Sequence, residues 1–256
     1  MQNQEQSSIN DVENISSGVK IEPLFISAIN LALQQSAFPI IYEIKLKNNT
    51  GNELKNLDCI IYTVPDILKK KIIHIEKIDV GEELSLQKIN IEPNYNLLVN
   101  LSDSLIGKLI FEMKDKDTLI TREEHNVTAY AADQWLGLRI MPELFAAFVT
   151  PNLEVISYLM SNVADELKKK TGSADIQGYQ ADKRRIYEIC EAIYKAIHAW
   201  NIGYANPPSS FGNPGQKIRF ADTIYKYRMG TCLDTTLLFA SIMEQCNLHP
   251  VIIFQH

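Results

Sequence analysis

Arg228-Met229-Gly230-Thr231-Cys232-Leu233-Asp234, followed by an apolar run through Leu237, Leu238, Phe239, Ala240, Ile242 and Met243, is the stretch on which the reading of this chain turns. It spells a turn and then a helix that opens on a cysteine. Thr231 is a suitable N-cap, and Asp234 three positions on completes a capping box of the Thr-x-x-Asp kind. The apolar run is wide enough to bury the helix on most sides. Asn247 can close it in the left-handed conformation, and Pro250 prevents continuation. Val251-Ile252-Ile253-Phe254 then predicts a buried strand. A thiol in the first turn of a helix sits where unpaired N–H groups and the helix dipole favour the thiolate. Cys232 is therefore a candidate nucleophile, weighed against the commoner fate of cysteine as a small buried hydrophobe.

Upstream, the text has two characters. Residues 1 to 18 are rich in Asn, Gln and Ser and predict a mobile tail. From there to Tyr130, short apolar runs alternate with turn residues. Pro39 to Lys47 is followed by the turn Asn48-Asn49-Thr50-Gly51-Asn52, then by Asp58 to Val64, Ile72 to Ile78, Leu84 to Ile91, Lys108 to Met113 and Thr118 to Thr121. About seven strands at this spacing predict a β-sandwich of the broad immunoglobulin-like class, without the Cys–Trp–Cys signature.

After Tyr130 the period becomes helical. Pro151 at a first helical position, with Leu153, Ile156, Leu159, Met160, Val163 and Leu167, predicts a helix ending near Gly172. A second helix carries Ile186, Ile189, Cys190, Ile193, Tyr194, Ile197 and Trp200 on one face. Asn201 to Lys217 reads as a long loop, and Asp222 as the cap of a short helix. The fold class is thus α+β: a sandwich over residues 19–130 and a helix-rich domain over 131–256.

The composition excludes several classes. Hydrophobic residues make up 46% and charged residues 22% of the 256, as in globular proteins. Asp and Glu number 31 against 25 Lys and Arg, a net charge of −6, which argues against strong direct binding of nucleic acid. No apolar run approaches the roughly 20 residues that span a bilayer, and the N-terminus lacks the pattern of a signal peptide, so no membrane association is expected. Cys59, Cys190, Cys232 and Cys246 form no Cys-x-x-Cys pair and have no histidine at ligand spacing. Cys232 and Cys246 are about 21 Å apart on one helix and cannot bridge. A reduced, cytoplasmic protein without metal or cofactor is the simplest reading. There is no Walker-type phosphate loop, so these residues carry no ATPase site of their own.

Four blocks carry a resemblance: Met141 to Asn152, Tyr204-Ala205-Asn206-Pro207-Pro208-Ser209-Ser210-Phe211, Gly215-Gln216-Lys217-Ile218-Arg219, and Arg228 to Asp234. Together they resemble the transglutaminase-like cysteine-hydrolase superfamily, and more narrowly the N-terminal region of large bacterial superfamily I helicase-related proteins. The resemblance covers about residues 130 to 256. It implies a cysteine that opens a helix, a histidine on a following strand and an Asp or Asn that orients it. Cys232 matches the first member. The family's Gly-His-Ala would fall just past residue 256, and His256 aligns about two residues short of that histidine. The implied domain is therefore incomplete at its C-terminal end. The implied role is an accessory, interaction or regulatory module in DNA repair or defence, partnered by another protein or by the helicase part of the same polypeptide. The alternative is a hydrolase of peptide or amide bonds acting through Cys232.

The remaining candidates have blander explanations. Cys190 belongs to an apolar stripe and reads as core. His198 lies on the opposite face of that helix, and His249 sits in a turn before Pro250. Gln216 and Lys217 are candidates for an oxyanion donor near the cysteine. Lys69 to Lys71 and Lys168 to Lys170 read as solvated charge runs, and Gly81, Gly107 and Gly230 as turn residues.

Overall fold

The computed structural model describes residues 18–35, 38–176, 182–206 and 214–254. Of the tail expected over residues 1–18, residues 1–17 lie outside these, as do Pro207 to Phe211 and His256. The architecture is α+β, with two compact units. One comprises the chain up to Ile29, Ala37–Leu97 and Ile106–Ala129; the other comprises Asn30–Ser36, Leu98–Leu105 and the chain from Tyr130 onward.

The first unit is β-rich. Its strands are β1 (Val19–Phe25), β2 (Ala28–Ile29), β3 (Ile41–Asn48), β4 (Leu54–Val64), β5 (Lys71–Ile78), β6 (Glu83–Ile89), β7 (Leu105–Asp115) and β8 (Thr118–Ala129). Strands β1-β3-β6 form one sheet and β2-β8-β7-β4-β5 another. Most neighbours are antiparallel, whereas β2 runs parallel to β8. Period-two patterning decides which face is buried. Leu57, Cys59 and Ile61 of β4 point one way, with Cys59 opposite Met113 and Ile61 opposite Phe111. In the other sheet Ile44 and Leu46 are fully buried. The ring of Phe25 on β1 lies 6.4 Å from that of Phe111 on β7, so the sheets meet through apolar side chains.

The Asn48–Asn52 turn is organised by one buried amide. Asn48 Nδ2 donates to the carbonyls of Asn52, Ile78 and Asp79, while its Oδ1 accepts from the Thr50 amide and hydroxyl. Gly51 follows at φ 76°, where a side chain would be strained. β1 was not legible in the sequence because Pro23 interrupts it; the strand lies at a sheet edge, where a missing N–H is tolerated. Gly107 is not a turn residue either. It sits in β7, where an added Cβ would meet Ile67 Cδ1 at 2.8 Å.

The second unit is helix-rich. It holds α1 (Leu31–Gln35), a 3-10 turn of helix (Pro142–Phe148), and the helices that carry its core. A short helix, α2 (Tyr95–Asn100), straddles the division between the units. The core helices are α3 (Glu154–Thr171), α4 (Lys183–His198), α5 (Ala221–Tyr227) and α6 (Cys232–Gln245). Ile156, Leu159, Val163 and Leu167 of α3 pack with Ile189, Ile193 and Ile197 of α4 and Leu238 and Ile242 of α6. Cys190, expected in the core, is only partly buried and packs against the margin of this cluster. Gly172 ends α3 at φ 80°, the left-handed conformation that glycine adopts without cost. Pro151 is not at the first helical position. It lies in a turn, and the helix starts at Glu154 after Leu153.

A second cluster is built on Trp135, with Phe145 at 4.9 Å and Phe254 stacked at 5.4 Å. Trp135 belongs to β9 (Gln134–Trp135), which pairs with β11 (Gln216–Lys217). Gln134 ties this unit's separate segments together. It gives its backbone carbonyl to Asn30 Nδ2, and its side chain donates to Asp103 and to the Gly215 carbonyl.

Two further expectations are corrected. Asp222 does not cap α5; Phe220 is its N-cap, and Asp222 accepts from the Thr223 amide within the first turn. Val251 to Phe254 is extended but has no strand partner among the described residues, so it is not a buried strand. Ile252 and Phe254 face the Trp135 cluster, whereas Val251 is 84% and Ile253 79% exposed. Both lysine runs are exposed, and Lys69, Lys169 and Lys170 pair with Glu92, Glu166 and Glu191. No helix among the described residues is long and apolar enough to cross a membrane.

Because Leu167 is fully buried and Lys168 beside it is solvated, the two separate packing from propensity. Leu167→Ala is expected to cost about 2–5 kcal/mol, and Lys168→Ala about 0.5 kcal/mol or less. Urea denaturation followed by far-UV circular dichroism checks this, and equal midpoints for the two variants would contradict the packing described.

Candidate functional site

The helix that the sequence predicts to open on Cys232 does so. Thr231 is its N-cap, with φ −83° and ψ 176°, and the capping box is complete in both directions. Thr231 Oγ1 accepts from the Asp234 amide at 3.3 Å, and Asp234 Oδ2 accepts from the Thr231 amide at 2.8 Å. The box is only part of what Asp234 does. Its Oδ1 accepts from the Arg219 amide at 2.8 Å, and its Oδ2 accepts from the Arg219 guanidinium at 3.0 Å. The carboxylate is fully buried, and Arg219 supplies the opposite charge that burial of an ionised group requires. Asp234 thereby pins the segment after β11 to the start of α6.

The strand leading into α6 is fixed from its other side. β12 (Met229–Gly230) pairs in parallel with β10 (Gly203–Tyr204), placing Tyr204 opposite Gly230. The Gly203 amide donates to the Arg228 carbonyl at 2.7 Å, and the Ala205 amide to the Gly230 carbonyl at 2.9 Å. A Cβ at Gly203 would stand 2.7 Å from Met229 Sδ, a contact that the exposed Met229 side chain can relieve by moving. Gly230 belongs to this strand and not to a turn. Arg228 bends the chain in the left-handed conformation at φ 53°, with its guanidinium 4.2 Å from the centre of the Tyr225 ring and 5.6 Å from that of Trp200. Cation–aromatic contact of this kind offsets the backbone conformation.

Cys232 is exposed, and the Tyr204 phenol lies near enough to interact with its sulfur. Partial desolvation, and then the Cys232 sulfur alongside, hold the Tyr204 phenol above its ordinary pKa. The phenol is protonated through neutral pH, the form that can donate to the sulfur. The other thiols are in different surroundings. Burial pushes Cys59 up to about 12 and Cys246 up to about 11, and raises Cys190 as well. A thiol donor at a helix N-terminus, with a phenolic hydrogen-bond donor beside it, can serve as a nucleophile or a leaving group in acyl or disulfide exchange.

The other sequence candidates are placed as follows. His198 stacks on Tyr194, with ring centres 5.9 Å apart, and lines a hollow of about 250 Å³ together with Asn201, Tyr204, Gly230 and Thr235. His249 Nδ1 faces Glu244 at 3.6 Å. Gln216 is buried opposite Trp135, and the Lys217 amine donates to the Ser102 carbonyl at 2.6 Å, so each has a structural role. No cluster of His, Cys, Asp and Glu suited to a metal occurs among the described residues. The sequence did not reveal the Tyr204–thiol contact or the Arg219–Asp234 pair. Both depend on strands of two residues, too short to leave a periodic signal.

No protein-family model matches the chain, and no curated protein matches it. Among solved structures, part of the chain is similar to part of a beta-glucuronidase from glycoside hydrolase family 2, at 11% identity and a TM-score of 0.26. That match takes in 44% of this chain and spans 11% of the enzyme's length, a likeness that bears on neither fold nor activity.

Two outcomes are expected at this site. Asp234→Ala leaves the Thr231 and Arg219 amides and the Arg219 charge without their acceptor, and is expected to cost about 3 kcal/mol in urea denaturation; Thr231→Ala is expected to cost about 1 kcal/mol. In the native protein at pH 8, iodoacetamide is expected to label Cys232 before the other three cysteines. Tyr204→Phe is expected to slow that labelling, because the phenol beside the sulfur loses its hydroxyl. Mass spectrometry of the alkylated peptides reads both, and an unchanged rate would remove Tyr204 from the site.

Proposed function

We propose that these residues form an accessory interaction module, an immunoglobulin-like β unit joined to a transglutaminase-like helical unit, of the kind carried by bacterial helicase-related proteins. The observation that carries it is the apolar and aromatic surface of the second unit. Tyr204, Tyr227, Met229, Val251 and Ile253 are all exposed there. Exposed tyrosine and methionine are enriched in the buried centres of protein interfaces, and Val251 and Ile253 stand more than three-quarters exposed on one extended segment. Two strand orders support the immunoglobulin-like part. The first sheet, β1-β3-β6, matches the A-B-E arrangement, and β8-β7-β4-β5 matches G-F-C-C′ with β2 added at the edge. The transglutaminase-like part is supported by the capped helix that presents Cys232 after a short parallel pairing. The partner is a protein or the helicase part of the same polypeptide, in repair of DNA or defence against foreign DNA.

The second reading is a cysteine hydrolase of peptide or amide bonds. The exposed Cys232 thiol and its Tyr204 donor favour it. Nucleophilic attack needs a base as well, and triad members act as a unit, so loss of the base lowers the rate by several orders of magnitude.

Incubation of the purified chain with amide and peptide substrates decides between the two. Release of amine no faster than from Cys232→Ala is expected. Release that disappears in Cys232→Ala would establish the hydrolase reading and overturn the module without activity.

A further inference from the structure

The second unit has a larger hollow than the one beside Tyr204. It has a volume of about 700 Å³ and lies between the Pro142–Phe148 turn, α6 and the extended Pro250–Phe254 segment. Its floor is apolar, made by Phe145, Val149, Ala240 and Ile252. Its rim carries the carboxylates of Glu143 and Glu244, and no lysine or arginine is among its described lining residues. Glu143 is exposed, and Glu244 is about one-third exposed beside His249. A further hollow of about 340 Å³, with Thr235, Thr236, Phe239 and Met243 of α6 in its wall, also abuts Pro250, Val251 and Ile252.

We propose that the 700 Å³ hollow is a docking site for a cationic amphipathic segment of a partner protein. Two features specify that chemistry. The volume accepts several apolar side chains at once, and removing them from water supplies most of the affinity. The carboxylates at the rim favour lysine or arginine flanking those side chains, and a segment carrying acidic residues would meet like charge, offset only where His249 faces Glu244. An amphipathic helix laid in a groove meets both demands with apolar anchors along one face and basic residues beside them. The assignment rests on the interaction-module reading and names the chemistry of the partner. It does not involve Cys232.

Fluorescence anisotropy of a labelled leucine/lysine amphipathic peptide, titrated with the 256-residue chain, tests it. The peptide is expected to bind, and its leucine/glutamate counterpart is not. Ala146→Trp fills the hollow from an exposed lining position without changing charge, and is expected to weaken binding by about tenfold or more, roughly the loss of one well-packed anchor. Ala146→Phe is a smaller plug that repeats the test if tryptophan disturbs the circular dichroism spectrum. Glu143→Lys with Glu244→Lys is expected to shift preference from the lysine to the glutamate peptide. Absence of binding, or binding that persists unchanged in both plugged variants, would overturn the assignment. So would equal affinity for the two peptides, or self-association of the chain that Ala146→Trp abolishes. Failure of the module reading would appear separately, as Cys232-dependent amine release in the hydrolysis assay.

Discussion

Asp234 is fully buried, and its two carboxylate oxygens accept from the Thr231 amide, the Arg219 amide and the Arg219 guanidinium. An ionised group in that position is tolerable only because each oxygen is answered and a cation stands against it. The constraint reaches well past the helix end. It ties the strand pair β9–β11, through Arg219, to the residue that precedes Cys232. It closes the first turn of α6 in one orientation, with Leu233 and Leu237 directed into the Trp135 cluster and Leu238 and Ile242 into the α3–α4 cluster. The thiol, between the cap and these buried residues, is left facing outward, with the half-buried Thr235 in the same turn.

Around this anchor the second unit is arranged so that rigid packing ends at an exposed edge. Arg228, held over Tyr225 and Trp200, turns the chain into β12, and β10 then carries Tyr204 to the sulfur. Farther along, α6 ends at Cys246, with Asn247 in the left-handed conformation, and the chain leaves extended with alternate side chains in and out. The inward pair extends the Trp135 cluster. The outward pair, Val251 and Ile253, gives this surface an apolar character that packing within the unit does not require. The same unit therefore offers a thiol with a donor beside it and an apolar recess with an acidic rim, and the two make separate demands on a ligand.

What was legible in the sequence follows from which forces are local. The capping box, the stripe on α4, the stop at Gly172 and the strands from β3 to β8 were readable because period and cap chemistry act within a few residues. The switch from β to helical patterning near Tyr130 was readable for the same reason. β1 was hidden by Pro23, and α2 by being six residues long. The strand expected over Val251–Phe254 has the right alternation, but a ladder needs a neighbour that local sequence does not specify. Arg219 and Tyr204 were visible as letters and not as partners of Asp234 and Cys232, since contacts across 15 or more residues depend on the fold as a whole. Asn30 and Asp103 joined the helical unit through Gln134 on the same terms.

Native-state amide hydrogen exchange at Thr231 and Arg219 measures the central constraint most directly. If the buried Asp234 carboxylate organises this unit, both amides exchange as slowly as those in the interior of α6 and open only with the unfolding that exposes its core. Exchange of either amide at the rate of a solvated loop, while α6 remains protected, would contradict the account.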